Sequence, residues 1–129
     1  LYNSIEWGAD YIFSVPCCQH EVNGSIKADK LSAMCGYGII KERLSALVTD
    51  TVRAKLLEYC GYKTELLEFI DIAHSPKNLL IRARKRGVRR EDRESAAAEL
   101  KKMRTELSFD HTLLRLVEED GSLVGETHL

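Results

Sequence analysis

Asp10-Tyr11-Ile12-Phe13-Ser14-Val15-Pro16-Cys17-Cys18-Gln19-His20-Glu21 is the stretch that decides how this chain reads. Tyr11, Ile12, Phe13 and Val15 are β-branched or aromatic residues in a short run, the pattern of a buried strand, and Pro16 stops it. A strand that only had to turn would run on into Gly, Asn or Asp. Here two thiols, an amide, an imidazole and a carboxylate follow instead. Open α/β sheets bind ligands in the crevice beyond the carboxyl ends of their strands. Cys17, Cys18, Gln19 and His20 are therefore the first candidates for a catalytic or substrate pocket.

Working outward, Leu1 to Trp7 has the look of a helix end closed by Gly8. Residues 21–28 are polar and are expected to be irregular, and Lys30 to Cys35 suits a short helix ended by Gly36. Ile40, Leu44, Leu47, Val48, Val52, Leu56 and Leu57 recur at helical spacing, so a long helix is expected from about Ile39 to Cys60, with Gly61 as its stop. Tyr62 to Ile72 and Asn78 to Ala83 read as two strands broken by His74-Ser75-Pro76 and close enough to form an antiparallel hairpin. Strand, crossover helix and returning strand make a parallel pair, and the last strand then inserts antiparallel. From Arg84 the chain turns basic, and two amphipathic helical pieces follow, Glu91 to Leu107 and His111 to Val117, before a loose tail. The fold class is α/β. The expected division is residues 1–86 as one unit and 87–129 as a basic linker with a helical tail.

At 129 residues the chain is one domain or part of one, and its net charge of −1 gives no global attraction to nucleic acid or membrane. The spacing of its four cysteines is not a secreted disulfide framework, and no apolar run is long enough to span a bilayer. A cytoplasmic protein is the expectation. The absence of Met at Leu1, in what reads as mid-helix, suggests a piece of a longer protein.

The segment from Ser4 through Glu21 resembles a group of class I S-adenosylmethionine-dependent methyltransferases with a Pro-Cys-Cys motif, related to the methyltransferase-like-25 family. The resemblance continues in Gly38-Ile39-Ile40-Lys41-Glu42-Arg43, Thr49-Asp50-Thr51-Val52-Arg53-Ala54, Gly61-Tyr62-Lys63 and Ser75-Pro76-Lys77-Asn78-Leu79-Leu80-Ile81-Arg82-Ala83, in order over the first two-thirds of the chain. It implies the carboxyl-terminal half of a Rossmann-like sheet: strand five, then strands six and seven, with seven antiparallel and inserted between five and six. It also implies that the elements holding the methyl donor lie upstream. No G-x-G-x-x-G occurs, and Gly36-Tyr37-Gly38 lacks the third glycine. Hence no cofactor-binding residue is expected in this piece, and S-adenosylmethionine belongs to the parent. The expected partners are the missing amino-terminal half or, without it, a second copy covering the apolar edge of the first strand.

Each candidate also has a plain structural reading. A free cysteine is often just a small buried apolar residue, and Gln19, His20 and Glu21 could form a solvated loop. Cys17, Cys18, His20 and Cys35 are zinc-type ligands, but adjacent cysteines start a tetrahedral site badly and no C-x-x-C is present, so no metal is expected. Asp50 and Arg53 are one helical turn apart, and either pair on a solvated face or line a groove. Asn78 suits a loop-holding role. Arg84, Lys85, Arg86, Arg89 and Arg90 are candidates for nucleic acid, RNA included, on charge alone. No aromatic residue is interleaved among them, and Glu91, Asp92 and Glu94 stand ready to offset them.

Overall fold

A computed structural model describes residues 1–16, 20–27, 29–68 and 79–119, with the side chains of His20, Glu21 and Glu119 left aside. In chain order the elements are α1 (Tyr2–Glu6), β1 (Tyr11–Ser14), α2 (His20–Ser25), a 3-10 turn (Asp29–Leu31), α3 (Ser32–Cys35), α4 (Gly38–Tyr59), β2 (Tyr62–Glu68), β3 (Leu79–Lys85), α5 (Arg90–Leu107) and α6 (Thr112–Glu119). The three described strands form one sheet in the order β1-β3-β2. β3 is antiparallel to both neighbours, with Ile12 opposite Ala83 on one side and Thr64 opposite Ala83 on the other. β1 and β2 are therefore parallel to each other, as the crossover connection suggests, with the reversed strand between them.

α4 is the element on which everything else packs. Val48, Val52, Leu56 and Tyr59 line one side of it. They form a core with Val22 and Ile26 of the α2 region, Ala96 and Leu100 of α5, and Phe109, Leu113, Leu114 and Val117 around α6. Leu57 points the other way, into a second cluster with Ile12, Tyr62, Ile81 and Ala83 from the inner face of the sheet. Leu56 and Leu57 are both fully buried although adjacent in sequence. A helix buried on two sides carries apolar residues around most of its circumference rather than along one stripe. Gly61, at φ +93°, ends it in a conformation that a β-carbon would strain. Residues on both sides of position 86 share the helical core.

Three expectations change. Residues 21–28 are not irregular: His20–Ser25 is helical, because Val22 and Ile26, four apart, are both drawn into the core. The backbone N–H of Lys27 donates to Leu107 O at 2.9 Å, and that of Asp110 donates to Ser25 Oγ at 3.1 Å, so α2 is tied to the α5–α6 turn. The last strand does not end at Ala83: it runs to Lys85, with Arg84 and Lys85 as ladder residues paired with Tyr11, Lys63 and Tyr62. Ile40 and Leu47 do not share in the core that their spacing suggests. Leu47 is 57% exposed, because α4's amino-terminal half is covered on fewer sides than its carboxyl-terminal half. The expected continuation of the second strand to Ile72, the His74-Ser75-Pro76 break and the tail from Asp120 lie outside the described residues.

α5 is fastened to α4 by polar contacts at its rim. Lys55 Nζ reaches Glu99 at 2.7 Å and Glu58 at 2.9 Å. Arg93 Nε donates to Tyr59 O at 2.7 Å while its guanidinium lies over the Tyr59 ring. Nearby, burial pushes the Cys60 thiol up to about 11, against a smaller opposing pull from Arg93. Burial also raises Tyr62. Hydrogen bonds to Glu99 and Glu58 raise Lys55.

Because both clusters share α4, Leu56→Ala and Leu57→Ala should each cost about 3 kcal/mol. Each should shift one common urea transition seen by far- and near-ultraviolet circular dichroism; separate transitions for the two clusters would contradict this. The raised groups fix a second expectation. Where Cys60 holds its proton in the folded state and releases it in the unfolded one, the folded state binds more protons, so stability falls as pH rises. The loss should begin near the ordinary thiol value of 9.0 and continue to about 11. Lys55 stabilises below its ordinary value and loses that contribution as it deprotonates, in the same direction. Urea midpoints across this range should decline, and Cys60→Ala should flatten the decline.

Candidate functional site

The carboxyl end of β1 borders a wide, solvent-open cavity of about 370 Å³. Ser14 and Pro16 supply its sheet side, Tyr2 comes from α1, Arg53 from the middle of α4, and His111 and Thr112 from the start of α6. The position is the one the crevice rule selects, immediately before Cys17. Cys17, Cys18, Gln19 and Asn78 lie outside the described residues. His20 is the first residue of α2.

Asp50 and Arg53 are not on a solvated face. The Asp50 side chain is only 4% exposed, and its Oδ1 accepts from Arg53 Nη1 at 3.3 Å. A carboxylate so deeply placed needs a cation beside it. The pair therefore holds the guanidinium against the cavity wall. The same stretch of α4 buries Ser45 and Thr49, whose hydroxyls donate to the carbonyls of Lys41 and Ser45 at 2.7 Å each. This polar strip runs along the helix without opening its hydrogen bonds to solvent.

His111 and Tyr2 are the residues that sequence reasoning missed. His111 is 3% exposed and stands at the mouth of α6. Its one sequence signal is an imidazole at the start of the amphipathic stretch His111 to Val117. The cavity thus gathers a guanidinium partly committed to Asp50, a buried imidazole, and the hydroxyls of Tyr2, Ser14 and Thr112. That set suits a polar ligand held by hydrogen bonds. Among the described residues, no three His, Cys, Asp or Glu side chains gather in a way that could hold a metal ion.

The basic candidates do not act as one group. Arg89 pairs with Asp92 through two hydrogen bonds, which raise its already high pKa, and Arg90 pairs with Glu94 at 2.7 Å. Lys85 Nζ lies 3.5 Å from Gly8 O. Arg84 and Arg86 turn instead to the outer face of the sheet, beside Arg82, Lys63, Tyr11 and Phe13.

No family model, no curated protein and no solved structure matches the chain. Among the described residues no helix is long and apolar enough to cross a membrane.

The burial of Asp50 fixes an expected outcome. Asp50→Ala leaves Arg53 facing the cavity without that carboxylate and should lower stability by about 3 kcal/mol, read as a shift in urea midpoint. Glu65→Ala, which removes the exposed partner of Arg82, should change stability by less than about 1 kcal/mol.

Proposed function

We propose that this chain is the carboxyl-terminal part of a class I S-adenosylmethionine-dependent methyltransferase domain. The observation that carries the reading is the strand order β1-β3-β2, with β3 reversed between two parallel strands joined through α4. A plain strand–helix–strand crossover puts its two parallel strands in the same sheet without requiring a reversed strand between them. The inserted strand is what the resemblance carried by Ser14–Glu21, Thr49–Ala54 and Ser75–Ala83 implies.

Two further features agree with it. β1 is paired on one side only among the described residues, so its other edge is free to take the strand that would precede it in such a sheet. Trp7, Val15, Ile39 and Leu47 remain more than half exposed, as residues do when the elements meant to cover them belong to another segment. The partner is then the amino-terminal half of the domain, with a second copy of the chain as substitute in its absence, and the compartment is the cytoplasm.

The described residues do not fit the methyl donor itself. Gly36-Tyr37-Gly38 opens α4, but α3 precedes it rather than a strand. Among the described residues, nothing repeats the strand, glycine loop and helix that cradle a nucleotide-like ligand. The cavity at β1 belongs on this reading to the acceptor side, where Tyr2, Arg53 and His111 would position a substrate. Methyl transfer from a sulfonium is a displacement in which positioning supplies much of the rate.

Isothermal titration with S-adenosylmethionine tests the proposal. The chain alone should show no binding. The chain expressed with whatever coding sequence precedes residue 1 in its gene should bind at micromolar concentration. Micromolar binding by the chain alone, or an upstream sequence lacking a strand followed by a glycine-rich loop, would overturn it.

A further inference from the structure

The sheet has one face on α4 and one face in solvent. Alternation along the strands decides which residues meet there. Register sets them in two rows: Tyr11, Arg84 and Lys63 across one, Phe13, Arg82 and Glu65 across the other. With Arg86 beyond the strand end they line a shallow depression of about 320 Å³. Four of these seven residues are cations and one is a carboxylate, and that carboxylate, Glu65, is engaged by Arg82. The rings are open, with Tyr11 55% and Phe13 63% exposed. The Arg84 guanidinium lies 5.4 Å from the centre of the Tyr11 ring.

We propose that this face binds single-stranded nucleic acid. The inference stands apart from the methyltransferase reading and uses neither the cavity at β1 nor the resemblance. Tyr11 and Phe13 are two residues apart on one strand, so their rings sit roughly 7 Å apart on the same side. That offers stacking positions for successive bases of an extended strand. With Arg82 held by Glu65, Arg84 on β3 and Arg86 just beyond it run alongside, where a phosphate backbone would track them. A duplex keeps its bases stacked on one another and offers the rings nothing to stack on. An acidic peptide would use the cations but leave both rings in water. The rest of the basic run is not part of this surface, since Arg89 and Arg90 are neutralised by Asp92 and Glu94.

Fluorescence anisotropy with labelled oligouridylate, oligothymidylate and a duplex of equal length tests the site on the intact chain. Both single strands should bind more tightly than the duplex. Tyr11→Ala with Phe13→Ala should weaken binding at least about fivefold. Both side chains are exposed, so circular dichroism and the urea midpoint should stay near the parent's. Arg84→Gln with Arg86→Gln should weaken binding and reduce the salt slope by about 1.4, the share of two phosphate contacts. Arg89→Gln with Arg90→Gln should leave binding unchanged. Equal affinity for the duplex, indifference to loss of both rings, or an equal loss from the Arg89 and Arg90 variant would overturn the proposal, as would the absence of binding to either single strand.

Discussion

Burial of α4 on two sides is the constraint from which the rest of the structure follows. Leu56 and Leu57 are adjacent, so their side chains leave the helix about 100° apart, and each is fully enclosed by a different cluster. One helix therefore couples a sheet to a layer of three helices. Neither cluster is large, and each borrows a wall from α4. Loss of the helix would leave β1, β2 and β3 with one apolar face in water and α2, α5 and α6 with nothing to pack on.

The same helix supplies the polar wall of the cavity at β1. Asp50 can be buried there because Arg53, one turn on, meets it, and Arg53 can stand at the cavity because Asp50 anchors it. Removing one partner of such a pair costs more than the pair gains over apolar replacements. Its presence in a core that Val48 and Val52 could have continued is the sort of local inconsistency that accompanies a site. Tyr2, Ser14 and His111 reach the same cavity from three other elements, so the site exists only once all of them have docked on α4.

The basic run shows why charge density along a sequence is a poor guide to charge on a surface. Arg82, Arg84 and Arg86 alternate with residues that face α4 or the strand edge, and so reach one open face. Three residues further on, the backbone turns into α5, and Arg89 and Arg90 find carboxylates three and four positions ahead on the same helix. Helical spacing pairs Arg89 and Arg90 along α5, while strand spacing leaves Arg84 and Arg86 on the open face beside Arg82, which Glu65 holds from the neighbouring strand.

Much of the architecture was legible from local pattern. The strand at Tyr11, the long helix before Gly61 and the antiparallel hairpin follow from period, stop residues and connection length, because these act within a few positions of the chain; the place of the reversed strand between two parallel ones does not, and was implied only by the resemblance. The helix at His20–Ser25 was not legible. Its polar composition argues for a loop, and only the burial of Val22 and Ile26 against α4 makes it helical. Sequence likewise proposed Asp50 and Arg53 as a pair, through their one-turn separation, but could not say that the pair is buried. His111 joins Arg53 across 58 positions, and Tyr11 meets Arg84 across 73. Local propensity is set by neighbours along the chain, whereas a binding surface is set by which faces pack and which are left open. That choice belongs to tertiary structure, because it depends on the whole set of apolar faces being buried at once.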